Sequence, residues 1–295
     1  MYILVAFFAP ILHSLSCIID AHFSNSIFNK TTSLIFYATI TNIIIIPFLF
    51  LFGTPTLPSW PSLTVIFIVA AIDVFYQIPY YIALRKVDTS ITVALFSLGK
   101  VSVPILAYFI VGEKLSPIQY TGFGIILLSS FLLNFDRKQL KLNIAFFLML
   151  IVSLALSLAS VLEKYCLEKV DFITLVFWMA LLTTLISFSF LLIKSIRTDV
   201  ANTFPKYKKK FNLFIANEVL SQGGSLAMII ALSQLPVLTI KSINSSQSIF
   251  TLLLGFALYK LFGDRFKENL KQKEVLKKLI SFVFIMIGIY LVLKF

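Results

Sequence analysis

Long apolar segments recur along the whole chain, separated by short polar or charged stretches. Each segment holds about 20 mostly apolar residues, the length an α-helix needs to cross a hydrocarbon core of about 30 Å. The pattern predicts an all-α polytopic membrane protein with ten transmembrane helices. The predicted spans are 2–21, 32–52, 62–84, 89–112, 117–134, 142–163, 172–193, 212–233, 237–260 and 276–294.

Composition agrees with this interpretation and excludes a soluble enzyme. Hydrophobic residues make up 59% of the 295 residues and charged residues only 13%, more apolar surface than a soluble domain can bury. The N-terminal apolar segment lacks the basic region of a cleavable signal, so we expect it to stay as the first membrane helix. The two cysteines, Cys17 and Cys166, have no metal-ligand or disulfide spacing and are expected to be small core residues. We expect no cofactor.

Charge placement predicts the orientation. Most of the 25 lysines and arginines fall in the connections on one side of the predicted bundle. By the positive-inside rule that side is cytoplasmic, which puts both termini outside. The net charge of +12 indicates loops that face anionic lipid rather than a nucleic-acid partner. Residues 260–278 fit either an amphipathic helix on that lipid or an ordinary charged connector.

The chain contains an internal echo. The third predicted span carries AIDV (71–74) followed by Gln77, and the eighth carries ANEV (216–219) followed by Gln222. A weaker echo relates Asp20 in the first span to Glu163 in the sixth. These matches predict two repeats, residues 1–138 (helices 1–5) and 139–295 (helices 6–10). Because each repeat has an odd number of spans, the two would be inverted in the membrane, as in many secondary transporters.

The segment GEKLSPIQYTGFGIILLSSFLL (112–133) resembles the end of the first repeat in EamA-type members of the drug/metabolite transporter superfamily. The similarity includes the GEKLS turn (112–116), Gln119, Gly122 and Pro104 in the preceding span. Ser116, Pro117 and Gln119 also form a capping-box pattern at a helix start. The chain departs from the family at Ser129, where glycine is common, and at the second turn, which reads GDR (263–265).

This resemblance implies two five-helix repeats and a carrier for small organic solutes, with a cavity lined mainly by the third, fourth, eighth and ninth spans. The family's substrates include amino acids, nucleotide-linked metabolites and sugar phosphates. Its members are transporters and not enzymes.

Charged residues inside predicted spans are the candidate chemistry, since charge at bilayer depth is costly. Asp73 and Lys100 are equally far from the turn between their spans and therefore lie at the same depth at about 1.5 Å per residue. We expect them to form an ion pair, which either fixes helix packing or also binds a charged solute. Asp20 and Lys241 are expected nearer the interfaces.

Glu218 has no cation at its mirror depth in the ninth span. Burial of an unpaired carboxylate favours its protonated form, so Glu218 is the candidate for proton coupling. Contact with a substrate amine and a neutral packing role are the alternatives. GG (223–224) lies near Gln247 in depth, which predicts a close crossing of the eighth and ninth spans.

Further polar residues complete a predicted substrate site. Tyr76 and Tyr80 are four residues apart and share a helix face with Asp73 and Gln77. The predicted substrate-binding residues are Asp73, Tyr76, Gln77, Tyr80, Lys100, Gln222, Asn244 and Gln247.

The predicted function is secondary transport of a small polar or charged metabolite, amino acid-like or nucleotide-linked, across the bacterial inner membrane. Alternating access would be coupled to protons through Glu218 or would proceed by exchange. The alternatives are an intramembrane lipid-modifying enzyme and a channel-like protein. The sequence contains no HExxH motif and no Cys/His grouping that would favour the enzyme.

Overall fold

The computed structural model describes residues 2–28, 30–86, 89–114, 116–134, 144–262 and 272–294. Within these ranges the chain is helical and contains no strand. The helices are α1 (Tyr2–His22), α2 (Thr31–Thr41), α3 (Ile45–Leu49), α4 (Trp60–Phe75), α5 (Gln77–Leu84), α6 (Thr89–Lys100), α7 (Val103–Ile110), α8 (Pro117–Asn134), α9 (Ile144–Leu167), α10 (Phe172–Ser189), α11 (Lys194–Lys209), α12 (Phe211–Leu232), α13 (Val237–Asn244), α14 (Gln247–Phe262) and α15 (Gln272–Lys294).

The prediction of an all-helical membrane protein is confirmed. Six continuous helical segments of the described chain are long and apolar enough to cross a bilayer: Tyr2–Asn25, Thr31–Leu49, Trp60–Leu84, Ile144–Leu167, Phe172–Leu192 and Phe211–Leu232. Every predicted span coincides with a helix or with two consecutive helices. Residues 263–271, which include the GDR turn and half of the predicted amphipathic segment, lie outside the described residues.

Four predicted spans are each split into two α-helices. The second is interrupted by a 3₁₀ turn at Asn42–Ile44, where Pro47 cannot donate to the carbonyl of Ile43. The third is interrupted at Tyr76 and the fourth at residues 101–102. Pro79 and Pro104 explain these breaks, because a proline cannot donate to the carbonyl four residues earlier. The ninth span is interrupted at residues 245–246 without a proline. Interrupted helices leave backbone groups free at membrane depth, which is tolerated where the helix lines a polar cavity.

Glycines allow two close helix crossings. A Cβ on Gly122 in α8 would lie 2.8 Å from the carbonyl oxygen of Gly288 in α15, and a Cβ on Gly288 would lie 2.7 Å from that of Gly122. The predicted crossing at GG (223–224) does not involve the ninth span. A Cβ on Gly224 would lie 2.4 Å from the ring of His13, so α12 crosses α1 instead.

The GEKLS turn joins the two halves of the chain. Gly112 has a φ of 74°, a conformation that glycine adopts without a steric cost. Glu113 accepts the backbone N–H of Val237 with both carboxylate oxygens, at 2.9 and 3.0 Å, and so caps the start of α13. Burial raises the pKa of Glu113, opposed by this hydrogen bond and by the nearby Lys164.

The predicted capping box is also present at this turn. The Ser116 backbone N–H donates to Gln119 Oε1 at 3.0 Å, and the Gln119 N–H donates to Ser116 Oγ at 3.3 Å. Both orphan donors at the start of α8 are therefore satisfied.

Two cationic side chains hold the ends of helical hairpins. Lys164 in α9 donates to the carbonyls of Leu232 and Leu235, at 2.9 and 3.3 Å, where α12 turns toward α13. Arg85, just after α5, donates to the carbonyls of Ser24 and Phe28, at 3.1 and 2.9 Å. Each cation therefore joins the end of one helical hairpin to the end of a neighbouring helix through hydrogen bonds to backbone carbonyls.

The α8–α15 crossing gives a test of packing. Replacing Gly122 with Ala forces the two backbones apart and should lower stability by about 1–3 kcal/mol. Gly124 is the matched control, because a Cβ there meets nothing within 4 Å. The measurement is the thermal stability of both variants in detergent. Equal stability of Gly122→Ala and Gly124→Ala would contradict the close crossing.

Candidate functional site

A cavity of about 260 Å³ lies among helices from both halves of the chain. The first half contributes α1, α2, α4, α5 and α6, and the second contributes α9, α10, α12, α13 and α14. All nine residues predicted for substrate binding and coupling line this one cavity: Asp73, Tyr76, Gln77, Tyr80, Lys100, Glu218, Gln222, Asn244 and Gln247.

The predicted ion pair between Asp73 and Lys100 is wrong. Lys100 Nζ donates instead to Ser245 Oγ at 3.1 Å, and the ion pair of Lys30 with Asp199 is the only one found in the described ranges. Equal depth therefore does not bring the two charges within ion-pair distance, although both side chains line the same cavity. The Lys100–Ser245 bond joins the broken region of the fourth span to that of the ninth.

Glu218 accepts a hydrogen bond from Gln222 and makes no ion pair with a cation of the described ranges. Gln222 Nε2 donates to Glu218 Oε1 at 2.9 Å, and the same amide group donates to Asn42 Oδ1. The repeated acid-to-glutamine spacing therefore forms a local bond in α12. Its equivalent in the third span does not form: Gln77 Nε2 donates to the backbone carbonyl of Asp73, at 2.8 Å.

Asp20 is a cavity residue that sequence reasoning placed near an interface. It accepts hydrogen bonds from the hydroxyls of Tyr80 and Tyr81, at 3.3 and 3.2 Å, and from Asn217 Nδ2 at 2.9 Å. Asn217 precedes Glu218, so two carboxyl groups from different halves of the chain share this end of the cavity. The helix continues past Asp20 through His22 into a π-helical turn at Phe23–Ile27, which puts Asp20 deeper than the predicted span did.

Glu163 and Lys241 were also not predicted for the site. Both are buried, with 5% and 6% of their surface exposed, and both line the cavity. Lys241 interacts electrostatically with Glu163 and Asp73 but lies beyond 4.0 Å of either carboxylate, within the described chain. The only sequence signal for Glu163 was its weak echo with Asp20.

The predicted aromatic face is present. The rings of Tyr76 and Tyr80 lie 6.3 Å apart between centroids, tilted by 49°. Tyr80 also donates to Cys17 Sγ at 3.4 Å, so its hydroxyl is directed at α1. Tyr76 is only partly buried and lines the cavity beside Asp73.

Three buried oxygens accept no hydrogen bond from the part of the chain that the structure describes. They are Glu163 Oε2, Asn217 Oδ1 and Asn244 Oδ1, and all three residues line the cavity. Buried polar atoms are rarely left without partners. All three are acceptors, so a molecule that fits this cavity should bring hydrogen-bond donors.

The charges of the cavity are unequal. Its lining holds the carboxyl groups of Asp20, Asp73, Glu163 and Glu218 but only the ammonium groups of Lys100 and Lys241. Fully ionised, the site would carry excess negative charge in a medium where unpaired charge is costly. Protons or a cationic solute would reduce that cost.

A family model matches the N-terminal part of the chain. Residues 1–135 match the family described as "EamA-like transporter family". This match includes the GEKLS turn and confirms the resemblance predicted from it. Together with the apolar helices, the match agrees with a multi-pass membrane protein of the transporter class.

The fold of nearly the whole chain has a counterpart among solved structures. A solved crystal structure with 16% identity superposes with a TM-score of 0.70 and covers 99% of this chain and 98% of its own. At that identity the likeness shows the shared fold alone. A search of curated proteins gives no match.

Cys17 provides a native reporter of the cavity's charge. It lines the cavity, whereas Cys166 is fully buried and does not. In a Cys166→Ser variant, a small cationic methanethiosulfonate should modify Cys17 faster than an anionic one of similar size, because carboxyl groups outnumber ammonium groups. Mass spectrometry of the intact protein measures both rates. Faster reaction with the anionic reagent would contradict the charge assignment.

Proposed function

We propose that this protein is a secondary transporter of a small amine-bearing metabolite, amino acid-like in its charges, working by alternating access across the bacterial inner membrane. The observation that carries this proposal is the cavity's excess of carboxyl groups together with its three unpartnered acceptor oxygens. An ammonium group supplies both positive charge and hydrogen-bond donors. The EamA family match supports the transport class.

The two lysines suit a solute that also carries one carboxylate. Lys100 donates to Ser245, and Lys241 makes no ion pair within the described chain. A zwitterion could place its ammonium among Asp73, Glu163 and Asn244 and its carboxylate near Lys100. A nucleotide-linked solute is less suitable, because its phosphates would meet four carboxyl groups and only two lysines.

The proposed architecture is ten membrane helices in two inverted repeats, 1–138 and 139–295. Contacts support it, because α1 packs extensively on α12 while α9 packs on α4 and α5. These contacts join the first predicted span to the eighth and the sixth to the third. In two equivalent repeats the first span corresponds to the sixth and the third to the eighth, so each contact is the counterpart of the other. The fourth and ninth spans are broken at corresponding positions and touch through Lys100 and Ser245.

Proton coupling is assigned to Glu218 within this proposal. Its bonding partner Gln222 is neutral, and Asp20 approaches the same end of the cavity with another carboxyl group. A carboxyl group whose hydrogen-bonding partner is neutral can take up or release a proton without breaking an ion pair. Release of that proton would then depend on which side of the membrane the cavity faces.

A binding screen tests the substrate class. Detergent-purified protein is heated with amino acids, amines, nucleotides and sugar phosphates in turn, and the unfolding temperature is recorded. An amine-bearing solute should stabilise the protein, by about 2.7 kcal/mol at about 100 times its Kd. The shift should disappear in Asp73→Asn and persist in Glu168→Gln, whose carboxyl group is exposed and outside the cavity. Stabilisation by phosphates alone would overturn the proposal.

Coupling is tested with Glu218→Gln in reconstituted vesicles. A neutral side chain at this position cannot release a proton, so uptake driven by a pH gradient should be lost. Counterflow exchange of the same solute should continue, because exchange needs no net proton movement. Glu168→Gln serves again as the control. Undiminished gradient-driven uptake by Glu218→Gln would remove this residue from the coupling step.

A further inference from the structure

The helix α11 forms a surface unrelated to the central cavity. It contains Lys194, Arg197 and three lysines in its last turn, and the pattern of apolar segments did not predict it. An aromatic and polar interface fixes it against α2. Tyr37 stacks on Tyr207 with ring centroids 4.2 Å apart, and Tyr37 donates its hydroxyl proton to the carbonyl of Val200 at 2.6 Å.

An ion pair strengthens the same interface. Asp199 accepts from Ser33 and lies 3.3 Å from Lys30. The one carboxylate of α11 is therefore directed at α2, while its basic residues stay exposed. The free face of the helix carries only positive charge.

An apolar groove of about 410 Å³ runs between α2 and α11. Its lining is aromatic and aliphatic, and it shares no residue with the central cavity: Phe36, Tyr37, Ile40, Thr41, Ile43, Ile44, Val200, Ala201, Phe204, Tyr207 and Phe211. Phe204, Ile43 and Ile44 are exposed. A soluble protein would not leave such a groove open to water.

Basic residues stand along the edge of this groove. Arg197, Ala201, Phe204 and Lys208 follow one another at intervals of four, three and four residues, the spacing of one face of α11. The apolar members of this set line the groove. Lys209 and Lys210 follow Lys208 at the end of α11 and are exposed. An apolar trough with cations at its end is complementary to a lipid with an anionic headgroup.

We propose that the groove between α2 and α11 binds an anionic phospholipid, with an acyl chain along Phe204, Ile40 and Ile44 and the headgroup phosphate near Lys208, Lys209 and Lys210. The site does not depend on the transported solute. It lies near Glu218, the proposed coupling residue, because α2 forms one wall of the groove and is followed directly by Asn42. Asn42 accepts from Gln222, which also donates to Glu218.

The test compares nanodiscs of phosphatidylcholine with and without phosphatidylglycerol. Phosphatidylglycerol should raise the unfolding temperature of the wild-type protein and remain bound to it after gentle detergent extraction, as seen by mass spectrometry. In Lys208→Gln with Lys209→Gln, the preference for retained phosphatidylglycerol over phosphatidylcholine should fall by roughly tenfold or more, since each cation near the headgroups contributes independently. Ala201→Phe, which fills the groove and leaves the charges in place, should reduce retention too.

The control pair is Lys86→Gln with Lys114→Gln, two exposed lysines outside the groove, which should retain lipid as the wild type does. Soluble glycerol phosphate should give no stabilisation, because it lacks the acyl chains. The proposal is overturned if phosphatidylglycerol is retained equally by all variants, if glycerol phosphate stabilises as well as the lipid, or if the groove instead mediates association with a second copy in lipid-free detergent.

Discussion

This structure depends on one constraint: it buries charged side chains inside an apolar bundle without giving them direct ion pairs. Lys100 and Lys241 are almost fully buried, yet neither lies within ion-pair distance of a carboxylate in the described chain. Such groups are tolerated only where water, protons or a ligand can reach them. They therefore require a cavity, and the helices are arranged to provide one.

The broken helices follow from that requirement. Lys100 ends α6 and Ser245 follows α13, so the bond between them joins two places where the backbone leaves helical geometry. Interruptions of this kind would be costly against lipid. Here they face a polar interior, and Gly224 lets α12 pack closely on α1 beside it.

Sequence patterns located the helices and the polar residues of the cavity but not the partner of each polar side chain. Apolar length located the helices, and the two acid-to-glutamine echoes located residues that line one cavity. The Asp73–Lys100 pair failed because equal depth does not fix which way each helix face points. Asp20 and Lys241 were expected nearer the interfaces, but both line the cavity. The reasons are that α1 extends beyond its apolar run and that α13 is enclosed by neighbouring helices. The amphipathic helix α11 was missed since its low hydropathy resembles that of a loop.

The hairpin contacts of Arg85 and Lys164 have a mechanical consequence. Each cation holds a hairpin tip through backbone carbonyls, and the predicted topology puts the two on opposite membrane faces. Backbone carbonyls are present whatever side chain occupies the position, so the Lys164 contacts depend on the cation and not on the identity of the acceptor residues, whereas Arg85 also donates to Ser24 Oγ at 3.0 Å. Both cations make their contacts in this structure. In the proposed alternating-access cycle, opening the cavity to one side of the membrane would require one of these contacts to break while the other stays in place.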